Sequence, residues 1–531
     1  MALPASGQVQ PPAAFSRVQR LTLLACILGS SAAFLDGSIV NVALPAIRDS
    51  LHGGLSMQEW VVDGYLLMLG SLLLVGGSLG DLFGRRRIFM LGVGGFGAAS
   101  VVCALAPNAG ALVAARFVQG IAAALLVPSN LALIMDAFKD HQRAAAIGSW
   151  TAWTGIATVA GPLLGGLLIQ VASWRWVFAI NVPLVLVTLW LATQIPASEP
   201  PEHVRVDWVG GALCAAGLAG PIFALIEQPS HGWGAPQVLA TLIAGCVLLV
   251  IFVLWERRCQ APMLPLGIFR SRNFAVGNLA TFSLYAALNI ATFFLVVFLQ
   301  QVAGYTPLVA GLSMLPTSIL MFLFAKRMGA LADRYGPRLF MGFGPLVTGI
   351  GFLLLSRLGA NPSYVADILP GVIVLGAGLT VTVAPLTAAV LSAAPAAHSG
   401  LASGVNNAVA RIAGLIAIAA VGAVVATHFS AQVHQDLARP QAQPAYRAAV
   451  DRASSAALQT HPPAGFGAAQ RPRVHRALEH ASVDAFRLSM LIAAILAVLS
   501  GALSLIGIRN PGVVAGERIA APRGDRAAQP T

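Results

Sequence analysis

Long apolar runs separated by short polar breaks fill most of the chain. Runs of about 20 apolar residues recur, and each is long enough to cross about 30 Å of hydrocarbon as an α-helix. The pattern predicts fourteen membrane-spanning helices, with one long polar segment before the last of them. The predicted spans are residues 21–45, 58–79, 87–106, 110–136, 144–170, 176–194, 208–227, 237–255, 274–300, 308–332, 339–357, 365–392, 402–427 and 485–508.

The composition supports this prediction and narrows the class of protein. Hydrophobic residues make up 57% of the chain and charged residues only 10%, whereas a soluble domain has roughly 25% charged residues. The first apolar run is too long for the core of a signal peptide and contains Asp36, so we expect it to remain as a helix. The sequence therefore predicts an all-α integral membrane protein whose surroundings are the lipid bilayer.

The net charge of +12 would suggest nucleic-acid binding in a soluble protein. The basic residues, however, collect in alternate breaks. If the N-terminus is cytoplasmic, most of them are cytoplasmic too, as the positive-inside rule requires. We therefore predict a multi-pass protein of the cytoplasmic (inner) membrane with both termini cytoplasmic and no nucleic acid bound. The cytoplasmic set is Arg17, Arg20, Arg85, Arg86, Arg87, Lys139, Arg143, Arg205, Arg257, Arg258, Arg270, Arg272, Lys326, Arg327, Arg334 and Arg338, against Arg48, Arg175 and Arg357 in short outer loops.

Two loops of the chain resemble each other. The stretch "GGSLGDLFGRRR" at 76–87 is followed by "MGALADRYGPR" at 328–338, and each joins two apolar runs. A merely basic loop would explain the arginines but not the matched glycine and aspartate positions. The repeat predicts two homologous halves, an architecture of secondary transporters that rock around a central site. The matched positions are Gly77, Leu79, Asp81, Gly84 and Arg86 in the first copy and Gly329, Leu331, Asp333, Gly336 and Arg338 in the second.

The residue types of this repeated loop suit a hinge between helices. Glycine lets the backbone turn tightly, and Asp81 and Asp333 are placed to accept from the amides of a helix N-terminus. Arg85, Arg86 and Arg338 are placed to anchor at anionic lipid headgroups. We therefore predict a conformational role for both loops.

Three charged residues fall in the middle of apolar runs: Asp36 in the first, Arg116 in the fourth and Arg411 in the thirteenth. A charge at the centre of a membrane helix costs about 2.5–3.5 kcal/mol on insertion scales. A carboxylate that pairs with an arginine or lines a water-filled cavity is a typical proton relay, so Asp36 is the candidate carrier, with Arg116 beside it. The alternative is an ion pair that only holds helices together. Asp63 is either a second titratable group or cation contact, or an interfacial charge near the start of its helix.

Two further runs have candidate functional patterns. In "AGPLLGGLL" at 160–168, Gly161 and Gly165 share a helix face and permit close packing, while Pro162 favours a kink. This predicts a seal or hinge, although Gly and Pro are also frequent in membrane helices without such a role. Aromatic side chains of the ninth run would suit a bulky lipophilic substrate if they faced a cavity, and otherwise face lipid or core. They are Phe282, Tyr285, Phe293, Phe294 and Phe298, followed by Gln300 and Gln301.

The polar segment 428–484 is open to several interpretations. A plain extracytoplasmic cap is the simplest, and a metal buffer, a partner site or the reading head of a receptor are the alternatives. His475 and His480 are five residues apart, which does not place two ligands on one helical face. The five cysteines of the chain show no paired spacing. We therefore predict no metal site, and the segment leaves room for an accessory periplasmic protein. Its histidines are His428, His434, His461, His475 and His480.

These motifs together resemble the major facilitator superfamily, in its fourteen-helix branch of drug:proton antiporters of the EmrB/QacA type. "GGSLGDLFGRRR" is similar to the family's loop signature, "FLDGSIVNVALP" at 34–45 to its first-helix motif and "RFVQGIAAA" at 116–124 to its fourth-helix motif. "AGPLLGGLL" resembles the antiporter motif of the fifth helix, with Ala157 where glycine is usual. "SWRWVFAINVP" at 173–183 and "SGLASGVNNAVARIAG" at 399–414 support the same branch.

The resemblance implies two six-helix bundles, at 1–195 and 266–531, with two inserted helices and linkers at 196–265. It also implies drug efflux by alternating access, with a small-molecule substrate, protons as the coupling ion and no other cofactor. The implied proton-coupling residues are Asp36, Arg116 and Asp63. The implied gating residues are Gly77, Asp81, Gly84, Arg85, Arg86, Asp333, Gly336, Arg338, Gly161, Pro162, Gly165 and Gly166. The implied cavity residues are Asn41, Gln119, Tyr285, Gln300, Asn407 and Arg411.

Other classes of protein make different demands on the sequence. A proton-linked importer of a metabolite has the same architecture, and a receptor using 428–484 would bind without gradient-coupled flux. An ATP-driven pump would need a partner chain, because the sequence lacks a G-x-x-x-x-G-K-[ST] phosphate loop. No histidine lies clearly inside an apolar run, so we expect a transporter and not an enzyme.

Overall fold

The computed structural model describes residues 15–138, 140–196, 206–393, 399–437, 444–454, 457–463 and 465–510. Within these residues, fourteen helical spans are long and apolar enough to cross a membrane. A helix is found at each predicted apolar run, so the all-α membrane fold is confirmed. Lys139 and Arg205, two of the predicted cytoplasmic basic residues, lie outside the described residues.

The fourteen spans form two halves of six, with a pair inserted between them. The first half contains α1 (Arg17–Leu51), α2 (Leu55–Phe83), α3 (Arg85–Leu105), α4 (Ala109–Ala137), α5 (Asp140–Val171) and a sixth span made of α6 (Trp176–Ala179) and α7 (Asn181–Thr193). The inserted pair is α8 (Trp208–His231) and α9 (Pro236–Arg258). The second half contains α10 (Arg272–Gln301), α11 (Pro307–Leu312) with α12 (Leu315–Tyr335), α13 (Pro337–Leu355), α14 (Leu369–Ser392), α15 (Ser399–Leu437) and, after the short α16 (Pro444–Ser454), α17 (Arg471–Gly507).

Polar side chains set several of the helix starts. Ser16 and Gln19 form a capping box at α1, and Asn108 accepts a hydrogen bond from Ala111 N, 2.9 Å away, at the start of α4. Asp207 does the same for Gly210 N at α8, at 2.7 Å. Each cap satisfies an amide that has no carbonyl partner within the helix. The helices therefore begin where the polar breaks end.

The segment before the last span differs from its prediction as a loop. Residues 428–437 belong to α15 and residues 471–484 to α17, so both helices continue past the apolar runs. Phe429 and Val433 on α15 and Leu478 on α17 are buried, because these extensions pack against neighbouring chain. The connection between them is therefore shorter and more helical than the composition suggested.

The repeated loop makes the same turn in both halves. Gly84, between α2 and α3, has φ 91°, and Gly336, between α12 and α13, has φ 87°. Only glycine adopts this backbone region readily. Arg86 donates to Ala192 O at 2.8 Å, and Arg338 donates to Leu505 O at 2.6 Å. Each arginine thus binds carbonyls at the end of the last helix of its own half, where a cation is favoured by the helix dipole.

The charges of the loop have partners within the protein. Arg86 donates to helix carbonyls, while contact of the arginines with lipid headgroups stays a prediction. Asp81 accepts from Arg85 Nε at 2.9 Å, and Arg85 also pairs with Asp136 of α4. The second copy has Pro337 at the position of Arg85, so it lacks the equivalent pair. The side chain of Asp333 lies outside the described ones.

The inserted helices pack on one side of the molecule. α8 contacts both α2 and α15, whereas α9 packs mainly on α8. Gly220 and Gly245 let these two helices touch: a methyl group on Gly220 would lie 2.7 Å from the Cα of Gly245. The outer face of α9 exposes apolar side chains at helical spacing, which suits contact with lipid. They are Leu239, Ile243, Val247, Val250 and Leu254.

Side-chain hydrogen bonds join the two halves near one face of the molecule. We call the face where α1 begins and α17 ends the terminal face, and the other the opposite face. Within the described residues, two side-chain hydrogen bonds join the halves, Arg48 Nη1 to Gln301 Oε1 at 2.5 Å and Gln300 Nε2 to Val42 O at 3.0 Å. Both lie where α1 and α10 approach the opposite face. The conformation is therefore closed at the opposite face.

Candidate functional site

A buried ion pair lies at the centre of the first half. Arg116 Nη1 of α4 donates to Asp36 Oδ2 of α1 at 2.5 Å, and the two side chains are 1% and 0% exposed. Arg116 Nε also donates to Val61 O at 2.8 Å, and its guanidinium lies 4.3 Å from the centre of the Tyr65 ring. The charge of Asp36 is thus balanced by one guanidinium, which is itself fixed by α2.

The second carboxylate oxygen of Asp36 is held by amides. Gln119 Nε2 donates to Asp36 Oδ1 at 2.9 Å and Asn181 Nδ2 at 3.2 Å. Both amides also reach Ser100 Oγ of α3, at 3.0 and 3.3 Å. This places Gln119 in the buried cluster around Asp36, where it is 0% exposed, and not on an open cavity wall. We call Asp36, Arg116, Gln119, Asn181 and Ser100 the carboxylate cluster.

The carboxylate cluster has a definite chemical capability. An ionised carboxylate is tolerated in a membrane protein when cations and hydrogen-bond donors surround it. All three donors lie on helices other than α1, which carries Asp36. Arg116 and Gln119 lie on α4, and Asn181 lies on α7. A small rearrangement of α1 against α4 or α7 would therefore change the number of donors that hold the Asp36 carboxylate.

We use the name central cleft for a group of residues from helices of both halves, namely Phe34 and Asn41 of α1, Tyr285 of α10 and Asn407 and Arg411 of α15. Asn407 is exposed and the other four are half-buried. The Arg411 guanidinium lies 5.6 Å from the centre of the Phe34 ring. Within the described part of the chain, its charge has no carboxylate partner. The cleft therefore combines aromatic rings, amides and one positive charge.

Asp63 does not join the carboxylate cluster. It is 0% exposed, and neither of its carboxylate oxygens has a hydrogen-bond partner among the described residues. One turn earlier on α2, Glu59 is 2% exposed and its Oε1 is also without a partner. Glu227 of α8 lies nearby and accepts from Trp60 Nε1 at 3.1 Å. The structure thus places a second group of acidic residues nearer the opposite face than Asp36.

The glycines of the fifth span, which we call the glycine seal, pack closely against both halves near the opposite face. A methyl group on Gly165 would lie 2.6 Å from Ile39 Cγ1 of α1, and one on Gly166 would lie 2.7 Å from Leu308 N of α11. A methyl group on Gly161 would collide with Ser38 of α1, and one on Gly311 of α11 would collide with the backbone of Pro162. The small residues therefore bring α5 against the backbones of both halves, where larger side chains do not fit.

The remaining predicted residues lie toward the faces. Gln300 forms the closing hydrogen bond to Val42 O described above, and lines a cavity of about 480 Å³ on the opposite face together with Arg48, Gln301 and His461. Gly77, on α2 with Asp81, approaches Pro128 of α4: a methyl group on it would lie 3.7 Å from Pro128 Cβ. Within the described residues, no group of histidine, cysteine and acidic side chains could hold a metal ion.

The sequence prediction missed four polar residues of these sites: Ser100, Asn181, Glu59 and Glu227. Asn181 belongs to "SWRWVFAINVP", but an uncharged amide at the start of a span gives no signal of its own. Glu59 stands next to a polar break and therefore resembles an interfacial charge. Glu227 lies near the end of an apolar run, where a charge is common, and accepts hydrogen bonds from Ser56 and Trp60.

Two six-helix halves with a buried carboxylate and arginine pair are the build of a multi-pass membrane transporter, and not of an enzyme. The family model described as "Major Facilitator Superfamily" matches residues 26–418. The chain belongs to this family.

Similar proteins agree with the branch that the motifs indicated. The chain is 36% identical over 441 residues to the multidrug resistance protein Stp of Mycobacterium tuberculosis, covering 81% of this chain and 80% of that one. It is 32% identical over 497 residues to the tetracenomycin C resistance and export protein of Streptomyces glaucescens, covering 91% and 90%. These relatives fit the drug:proton antiporter branch.

Solved structures show the same fold. A bacterial homologue of the human lysosomal transporter Spinster, described as inward-facing and unoccupied, matches with a TM-score of 0.64 at 17% identity, over 94% of this chain and 100% of that one. At this identity the likeness establishes the fold alone.

Proposed function

We propose that the chain exports lipophilic or amphipathic small molecules across the cytoplasmic membrane, and that protons entering the cell drive the export. The observation that carries this proposal is the fully buried Asp36 and Arg116 pair next to the central cleft. Drug-resistance and export functions in the names of the relatives support the direction of transport.

The available driving force is sufficient for such export. A pH difference of one unit is worth about 1.4 kcal/mol, and a potential of 100 mV adds about 2.3 kcal/mol per charge. One proton therefore sustains roughly a 500-fold gradient of a neutral substrate. Asp36 takes the proton when the cleft is open to the outside and loses it inside. Arg116 adjusts its proton affinity, and Asp63 contributes to selection of substrate charge.

The walls of the central cleft suit aromatic substrates. Rings stack on Phe34 and Tyr285, and the guanidinium of Arg411 attracts electron-rich or anionic aromatic groups. Asn41 and Asn407 supply hydrogen bonds that orient a ligand. Rocking of the two halves, with the glycine seal of α5 opening at one face, alternates access to the cleft.

The function is tested with purified protein in proteoliposomes. In inside-out vesicles with an acidic lumen, an antiporter accumulates its substrate, whereas a proton-linked importer empties the lumen. The screen covers lipophilic cations, anionic aromatics and metabolites. We expect accumulation of an aromatic compound that stops when nigericin collapses the pH gradient. Accumulation that persists without the gradient, or binding without flux, would contradict the proposal.

The orientation of the chain is a separate prediction. We expect the termini and the loops near residues 85, 140, 265 and 335 to be cytoplasmic, and 428–484 to be outside. Single cysteines replace the exposed Arg471 or Tyr335 in a variant without the five native cysteines. An impermeant thiol reagent should label position 471 in intact cells and position 335 only after permeabilisation. The reverse labelling would show the opposite orientation.

A further inference from the structure

Glu59 occupies an unusual place at the contact between the halves. Its carboxyl group, on α2, lies directly against the backbone of Gly422 on α15, so that any side chain at position 422 would collide with it. The residue is 2% exposed, and its Oε1 has no hydrogen-bond partner among the described residues. Both helices are close to the opposite face at this point. Closing of the opposite face therefore buries the carboxyl group of Glu59.

The charged groups around Glu59 are acidic. Asp63 lies one turn further along α2, and Glu227 faces it from α8 with His231 beside it, 3.6 Å from the Glu227 carboxylate. On α15, Arg411 lies over the Phe34 ring and His428 is exposed. The basic residue of α4, Arg116, is bound to Asp36 and Val61 O. None of these described basic groups pairs with Glu59.

This environment decides which form of the carboxyl can be enclosed. An ionised carboxylate without a cation or a full set of donors is strongly disfavoured in a dry interface, and neighbouring carboxylates add repulsion. A neutral carboxylic acid is much easier to bury. When α2 and α15 separate at the opposite face, water reaches the group and the ionised form becomes acceptable.

We propose that Glu59 is a proton latch, a carboxyl that takes up a proton while the opposite face is open and allows that face to close only with the proton bound. The inference rests on the proposed proton-driven transport and adds to it a second titrating residue that controls a conformational step. It gives closure of the outer side a direct dependence on protons from that side, as an antiporter requires.

The latch is tested with a distance reporter that needs no substrate. Spin labels at Asp49 of α1 and at His461, which line the same cavity on the opposite face, report whether this face is closed. Residues 457–463 move with the second half, because Thr460 Oγ1 donates to Gln301 O at 3.4 Å. In the chain with wild-type Glu59, the closed fraction should rise as the pH falls.

The variant Glu59→Gln keeps the size of the side chain and removes its charge. We expect it to close at high pH as well, and to lose about one proton from the pH dependence of closure. Glu227→Gln is the matched control: it leaves the Glu59 carboxyl in place, so closure should still depend on about one proton, with its midpoint moved to lower pH because one neighbouring negative charge is gone. A Glu59→Gln variant with the wild-type pH response would overturn the latch.

A second variant tests the contact without altering the acid. Gly422→Ala places a methyl group on the Glu59 carboxyl and should hold the opposite face open at every pH. Gly404→Ala on the same helix meets only the flexible end of Leu74, at 3.0 Å, and is the control. Closure of Gly422→Ala as in the wild type would also contradict the inference.

The two proposals fail in different ways. If the wild type transports drug on a pH gradient but closure is independent of Glu59, the latch is wrong and the proposed function stands. If closure depends on Glu59 but no pH gradient drives transport, the proposed function is wrong and the proton-dependent closure stands.

Discussion

The variant Asp36→Asn should lose uphill, pH-driven transport completely while it still binds substrate. The substitution removes the only carboxylate of the carboxylate cluster within the described residues, and with it the proposed proton carrier. Downhill exchange of substrate should survive, because the central cleft is unchanged. Uptake into proteoliposomes with and without a pH gradient measures both activities.

The interpretation needs a control for folding. Asp36→Asn leaves Arg116 buried without its counter-ion, which costs about 3–5 kcal/mol when one partner of a buried pair is removed. The double variant Asp36→Asn with Arg116→Gln removes both charges and should recover thermal stability without recovering coupling. A well-folded single or double variant that still transports uphill would exclude Asp36 as the proton carrier and make Asp63 the next candidate.

The variant Gly166→Leu should reduce turnover by roughly 5- to 150-fold, the change that corresponds to about 1–3 kcal/mol. Even a methyl group at position 166 would lie 2.7 Å from Leu308 N and 2.8 Å from Pro307 O. These are backbone atoms, which cannot move aside as a side chain can. The closed opposite face should therefore become less populated. Initial rates of transport measure the effect, and thiol labelling of a cysteine at Asp49 measures exposure of that face.

The matched control is Gly155→Leu on the same helix. Position 155 is exposed and a methyl group there meets nothing within 4 Å, so turnover should be unchanged. If Gly166→Leu transported at the normal rate, α5 would not seal the opposite face during the cycle. Gly166→Ala should have an intermediate effect. It replaces Gly166→Leu in the transport assay if leucine at this position prevents folding.

The spans were predictable from the sequence because their signal is local. Length and apolarity of a run are sufficient to identify a membrane helix, and the matched glycines of the two loops correctly indicated the same turn at Gly84 and Gly336. The same reasoning underestimated α15 and α17. Their extensions are polar on average, and they are helical because a few residues such as Phe429 and Leu478 are buried by tertiary contacts.

The sequence did not predict which residues far apart along the chain contact each other. Arg86 contacts carbonyls 106 residues away, and nothing in the loop itself distinguishes these acceptors from headgroups. Asn181 lies 145 residues from Asp36 in the sequence, and an amide without charge draws no attention in an apolar run. Asp36 and Arg116 were found because isolated charges in membrane helices are costly and therefore conspicuous.

The position of α8 has a consequence for how substrates reach the cleft. This helix covers the line along which α2 meets α15. The ring centres of Trp60 on α2 and Phe223 on α8 are 6.1 Å apart. Compounds dissolved in the bilayer therefore meet an extra helix on that side. On the other side, α5 meets α11 and α12 without an inserted helix among the described residues. Among the described residues, the line along which the halves meet at α5 and α12 is therefore the one that has no inserted helix in front of it.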